Sequence, residues 1–188
     1  MTDDDESTPA KPLVEPADGP PRPVVAIALV LGVAAVLTIL VIALNRQPSQ
    51  GPVPVATLPA PQAGSADCTE LLAAAPQSLD DYRRAEILEP APAGVLAWRS
   101  DTSQLPVIMR CGLDRPGDFV VGVPLQVVND VQWFRVADAG LVSWFAVDRP
   151  VYIALTLPDG SGPGPIQQLS VAIAETLPAR PIDPGPPR

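Results

Sequence analysis

At 188 residues and 47% hydrophobic, the chain has room for one folded domain, and it contains only one apolar run long enough to cross a bilayer, which argues against a multi-span protein. The formal charge of -9, from 12 basic and 21 acidic residues with the arginines scattered, argues against nucleic acid as a partner and against docking on anionic lipid, both of which need clustered Lys and Arg. The absence of histidine excludes seryl or cysteinyl hydrolysis by the usual histidine base.

The N-terminal residues 1–23 join the acids Asp3, Asp4, Asp5 and Glu6 to prolines at 9, 12, 16, 20, 21 and 23. Such a segment buries too little apolar area to offset its ordering entropy and is expected to be a disordered cytoplasmic tail. Residues 24–44, Val24 to Leu44, carry no charge, and Thr38 is their only polar side chain. As a helix this run would be about 32 Å long, close to the ~30 Å hydrocarbon core of a bilayer. Lys11 and Arg22 precede it and Arg46 follows, which favours a cytoplasmic N-terminus. The run exceeds the ~7 to 15 residues of a cleaved signal peptide and leaves through Asn45 and Arg46, so it reads as an uncleaved transmembrane signal anchor.

Prolines at 48, 52, 54, 59 and 61 make residues 45–66 an expected semi-rigid stalk, between roughly 26 Å as coil and 68 Å as polyproline II. The extracytoplasmic domain is expected over residues 67–178. Asp67 as N-cap with Glu70 three residues on opens a short alanine-rich helix that Pro76 ends. Strands are expected near residues 81–85, 95–99, 106–111, 119–128, 131–136, 141–147 and 151–157, with Asn129-Asp130 as a hairpin turn and Asp148-Arg149-Pro150 as a second connection. In the last strand Val151, Ile153, Leu155 and Leu157 alternate with Tyr152, Ala154 and Thr156, the period of a sheet with one face on a core. Pro165 opens an amphipathic helix in which Ile166, Leu169, Ile173 and Leu177 recur on one face. The fold class expected is α+β: a mostly antiparallel β-sheet of six to seven strands, flanked by a short N-terminal helix and a C-terminal amphipathic helix and preceded by one transmembrane helix. Residues 179–188, rich in proline, are expected to trail as a disordered tail.

Four sets of residues could carry chemistry. Cys68 and Cys111, both on the expected outer side, favour a disulfide pinning helix to strand; two buried free thiols are the alternative, and without a C-x-x-C motif or histidine no metal site is expected. Gly160-Ser161-Gly162-Pro163-Gly164 lies between a strand and a helix, where an anion could bind, but it lacks both phosphate-binding spacings and reads first as a flexible connection. Asp114, Asp118, Asp148 and Asp159 could pair as catalytic or calcium-binding carboxylates, although an Asp opening a proline-containing turn explains Asp114 and Asp148. In Trp133-Phe134 and Trp144-Phe145 one ring of each pair must face away from the core, giving either an aromatic binding surface or rings covered by a loop or helix. No cofactor is expected, and no catalytic residue stands out.

Four segments carry a family resemblance: Cys68-Thr69-Glu70-Leu71-Leu72-Ala73-Ala74-Ala75-Pro76, Arg110-Cys111-Gly112-Leu113-Asp114-Arg115-Pro116, Asp130-Val131-Gln132-Trp133-Phe134, and Trp144 through Tyr152. They resemble the blocks of an actinobacterial domain-of-unknown-function family, number 3515, over about residues 52–178. The resemblance implies an N-terminal span or signal followed by one exported domain in an actinobacterial cell envelope. It places both cysteines inside family blocks, which strengthens the disulfide, and supplies no catalytic residues. The function expected is therefore that of a single-pass protein of the plasma membrane, N-terminus cytoplasmic, whose exported domain binds a protein or cell-wall component without catalysis. The alternatives are a carboxylate-dependent enzyme acting on an envelope substrate, and an accessory subunit whose span packs through Ala28 and Gly32 against a larger membrane complex.

Overall fold

A computed structural model describes residues 22–45 and 51–187, in two compact units divided near residue 48. The first unit contains helix α1, Arg22–Asn45, slightly longer than expected because Pro23 is tolerated in a first helical turn. Pro23–Val41 has a mean hydropathy of 3.1, and the side chains of Val24 to Val41 are exposed all round. The hydroxyl of Thr38 donates to Ala34 O at 2.8 Å, so the one polar side chain of the run is satisfied within its own helix. Apart from Arg22 and Pro23, the expected acidic tail lies outside the described residues, as does the first part of the expected stalk.

The second unit contains α2 (Ala66–Ala74), α3 (Gly164–Thr176) and eight strands: β1 (Ser78–Leu79), β2 (Tyr82–Ala85), β3 (Val95–Arg99), β4 (Val107–Leu113), β5 (Leu125–Val128), β6 (Val131–Asp138), β7 (Leu141–Ala146) and β8 (Tyr152–Pro158). All strand pairs are antiparallel, in the order β1-β2-β3-β4-β8-β7-β6-β5. Two four-stranded meanders thus lie side by side, joined where β4 pairs with β8. The α+β class stands. The strand beyond the expected six to seven is β1, whose two residues are too few to show a period.

Alternation along the strands gives the sheet two apolar faces. On one face Leu71 of α2 and Leu169 and Ile173 of α3 close over Met109, Trp133 and Ile153, all with no exposed surface. Full burial of each such side chain contributes about 1.5 to 3 kcal/mol. On the other face, Phe119, Phe134 and Val147 form a second, smaller cluster.

Several boundaries differ from expectation for identifiable reasons. Ser65, not Asp67, caps α2: its Oγ accepts the Cys68 N–H at 3.2 Å. Ala75, extended before Pro76, ends the helix as expected. The expected strand 119–128 shrinks to β5, because Gly122 turns at φ +93° and Pro124 has no N–H for a ladder. Asn129 and Asp130 both adopt positive φ and close the β5–β6 hairpin; Ala139 and Gly140 do the same for a β6–β7 hairpin that the sequence pattern did not reveal.

The described part of the stalk is not a free spacer. Val53 is buried, its N–H donates to Glu86 O at 2.7 Å, and its carbonyl accepts from Leu88 N at 2.9 Å. The Gln62 N–H donates to Gly112 O at 3.0 Å, and a Cβ at 112 would overlap the backbone of Gln62 and Ala63. An extended proline-rich chain keeps the N–H groups of its non-proline residues, and here they find backbone carbonyls of Glu86, just past β2, and of Gly112 in β4.

The C-terminal segment also docks. Gly185 N donates to Phe119 O at 2.8 Å and its carbonyl accepts from Val121 N at 3.0 Å, while the Asp183 carboxylate pairs with Arg115 at 3.2 Å. The expected loose tail is, over residues 180–185, part of the fold.

Candidate ligand-binding groove at one end of the sheet

The sheet register sorts the connections between its two ends. Because Leu113 pairs with Tyr152, the connection after β4 and the one before β8 share one end. Because Arg83 pairs with Arg99 and Leu141 with Pro158, the β1–β2 turn, the loop after β3 and the β8–α3 connection gather at the other. The four acidic candidates are divided accordingly. Asp114 and Asp118 are exposed on the connection after β4. Asp148 is buried before β8 and pairs with Arg149 at 3.0 Å, and the Arg149 guanidinium also donates to Asp130 O at 2.8 Å. Asp159 stands exposed at the far end of β8. No single cleft holds all four.

The aromatic pairs split across the sheet as the period requires. Trp133 is buried under α3, and its Nε1–H donates to Ser170 Oγ at 3.0 Å. Phe134 is covered by Phe119, with ring centroids 5.7 Å apart, and half-buried Phe145 lies 6.3 Å from Phe134. Trp144 lines a concavity.

That concavity belongs to a longer groove. Arg135, Val142, Trp144 and Leu157 wall a cavity of about 140 Å³ with Pro158, Asp159, Gly160 and Ser161. The last four residues also bound a neighbouring cavity of about 240 Å³, together with Asp81, Tyr82, Thr102 and Ser103. Asp81 and Thr102 in turn border a third, of about 410 Å³, which reaches Ser78, Asp80, Arg83, Ser100 and Asp101. The groove therefore joins Trp144 and Asp159, both singled out in the sequence, to residues that were not.

Its polar groups are held in place before any ligand arrives. Asp81 Oδ2 accepts from Ser100 Oγ and Thr102 Oγ1, each at 2.8 Å. These bonds, the one from Thr102 first, hold the Asp81 carboxyl below the usual carboxylate range and keep it an ionised acceptor. The Ser161 hydroxyl donates to Pro158 O at 2.5 Å, which fixes the glycine-flanked tip of the β8–α3 connection. The Arg135 guanidinium rests over the Trp144 ring, 5.8 Å from its centroid.

The glycine-rich connection does not form an anion site. A Cβ at Gly164 would lie 2.5 Å from Asp80 Oδ2, so the protein's own carboxylate stands at the start of α3, and Gln168 Oε1 accepts the Asp80 N–H at 3.0 Å. Among the described residues no group of three or more His, Cys, Asp or Glu is placed to hold a metal ion. The two cysteines are joined, Cys68 of α2 to Cys111 of β4, with Cα atoms 5.6 Å apart. Asp81, Tyr82, Thr102 and Arg135 escaped sequence reasoning because no local motif links three sites that span residues 81 to 135; only strand order brings them together.

These features define an α+β protein with one apolar N-terminal helix and a disulfide-bonded antiparallel sheet. The chain belongs to the family described as Protein of unknown function (DUF3515), which matches residues 24–182 and so takes in all but the first two residues of α1, the whole sheet and the start of the docked C-terminal segment. No curated protein and no solved structure matches it.

Proposed function

We propose that this protein is anchored by α1 in the plasma membrane, N-terminus cytoplasmic, and presents its sheet unit on the extracytoplasmic side, where it binds a protein or cell-wall component of the envelope without catalysing a reaction. The observation that carries this reading is the Cys68–Cys111 disulfide in a unit that follows an apolar helix, since such bridges persist in oxidising compartments. Binding is favoured over carboxylate catalysis because Asp159 stands at the opposite end of the sheet from Asp114, Asp118 and Asp148, and Asp148 is committed to its ion pair with Arg149. Within the groove, Asp81 has its proton affinity lowered, the opposite of what a general acid requires.

Protease treatment of intact cells, combined with electrophoresis with and without reductant, tests location and bridge together. The expected outcome is digestion of the sheet unit from outside and a mobility shift on reduction. A protected unit with two free thiols overturns the assignment. Crosslinking of the full chain in cells is expected to capture an envelope component.

A further inference from the structure

An aspartate followed by glycine is prone to rearrange through a succinimide, because glycine has no side chain to shield the backbone nitrogen that attacks the carboxyl carbon. Among the described residues, Asp159-Gly160 is the one such pair. Both residues are exposed, in the connection between β8 and α3. The Ser161 N–H donates to Pro158 O at 3.2 Å, which makes Pro158 to Ser161 a turn with Asp159 and Gly160 at its centre. Gly160 adopts φ +83°, and a Cβ placed on it would meet nothing within 4 Å, so no neighbour blocks the approach to its nitrogen.

The nitrogen itself is free. Among the described residues no hydrogen bond engages the Gly160 N–H. The nitrogens that follow Asp67, Asp101 and Asp118 are engaged, donating to Ser65 Oγ, Ser100 Oγ and Pro116 O. Asp183 precedes Pro184, which has no N–H to lose. The side-chain amide of Asn129, which could close the same ring, donates instead to Gln167 O at 2.9 Å.

We propose that Asp159-Gly160 is a site of spontaneous modification, at which aspartate converts to isoaspartate through a succinimide. The Gly160 nitrogen attacks Asp159 Cγ. A C–N bond forms, and the amide proton leaves with a carboxyl hydroxyl as water. Water then adds to one of the two ring carbonyls. Breaking the bond between nitrogen and Cγ restores aspartate; breaking the bond between nitrogen and the α-carbonyl carbon leaves the main chain running through the side chain. Nothing is oxidised or reduced, water is the one co-reactant, and the mass is unchanged. The product carries one more carbon in the main chain inside a tight turn, which loosens the Ser161 N–H bond to Pro158 O. Ser161 Oγ also accepts from the Tyr82 hydroxyl at 3.5 Å, so the change slackens the tie between this connection and β2.

The test is prolonged incubation of the detergent-solubilised full chain at neutral pH, then digestion with an endoproteinase that cuts before aspartate but not before isoaspartate. The expected result, read by mass spectrometry, is progressive loss of cleavage before residue 159 with no change of mass, while cleavage before Asp67, Asp101 and Asp118 is retained. Enzymatic methylation of isoaspartate, located by peptide mapping, is expected to label the peptide bearing residue 159. That label is lost in Asp159→Glu, whose longer side chain does not close the five-membered ring, and it appears sooner in Asp159→Asn, which reaches the same succinimide by losing ammonia. Retained cleavage before Asp159 in the folded chain, while the urea-unfolded chain loses it, overturns the proposal, as does equal isomerisation at Asp67, Asp101 and Asp118. Amide exchange at Ser161 is expected to quicken in the modified fraction; unchanged exchange overturns the loosening of the turn.

Discussion

Asp81 and Trp133 show how single side chains are tuned by partners far off in the chain. Asp81 owes its lowered proton affinity to the hydroxyls of Thr102 and Ser100. A carboxyl depressed in the folded state contributes stability above its unfolded pKa, and that contribution is lost as pH falls through the depressed folded value. Replacing both hydroxyls, in Ser100→Ala/Thr102→Ala, is therefore expected to raise the Asp81 pKa toward the ordinary aspartate value, as read from its carboxyl carbon in an NMR titration. Trp133 makes a second case. Ser170 accepts its indole N–H and itself donates to Ile166 O at 2.7 Å. Ser170→Ala strands a buried donor and is expected to lower stability by about 1 to 3 kcal/mol, measured by urea unfolding. Trp144 was legible from sequence as a strand aromatic, but adjacency alone could not tell it from Phe134. The register pairs Phe134 with Phe145 and Arg135 with Trp144, so the two rings lie on opposite faces of the sheet, Phe134 beneath Phe119 and Trp144 at the groove.

At the scale of elements, covalent and terminal contacts fix what the helices and strands alone leave loose. The disulfide joins α2 to β4 across a sequence separation of 43. In the chain-entropy picture a loop of that size is worth about 4 kcal/mol, so Cys68→Ser/Cys111→Ser is expected to lower the unfolding free energy by about that amount. The C-terminal segment acts on the opposite face. Tyr152 donates to Asp183 O at 3.3 Å, and burial, then the Asp183 carboxylate, raises its pKa against an opposing effect of Arg115. Truncation after Pro178 removes the cover and the acid together. It is expected to lower the Tyr152 pKa, seen by ultraviolet titration of tyrosinate, and to destabilise the Phe119 cluster. Proline content marked this segment as a loose tail and residues 45–66 as a stalk. Composition reports the cost of ordering a segment, not the backbone carbonyls that the rest of the fold offers it, and both segments dock through such carbonyls.

For the sheet unit as a whole, the β4–β8 pairing makes one structure of two meanders. Trp98 lies in the first meander and Trp133 in the second, both fully buried in a single core. Urea unfolding of the intact chain followed by tryptophan fluorescence and by far-ultraviolet circular dichroism is expected to give coincident midpoints; separate midpoints would mean that the meanders unfold independently. The sequence by itself determined the apolar helix, the α+β class, most strands, the Asn129-Asp130 turn and the pair of cysteines most apt to bridge. Each of these is written in local periodicity, in turn chemistry or in a short count of residues. Only the tertiary structure decided that β8 inserts between β4 and β7, that the proline-rich ends belong to the fold, and that Trp144, Asp159 and Asp81 share one groove. Those outcomes depend on pairings between residues far apart in the chain, and the free energy that selects them comes from packing and hydrogen bonds that no local stretch of sequence contains.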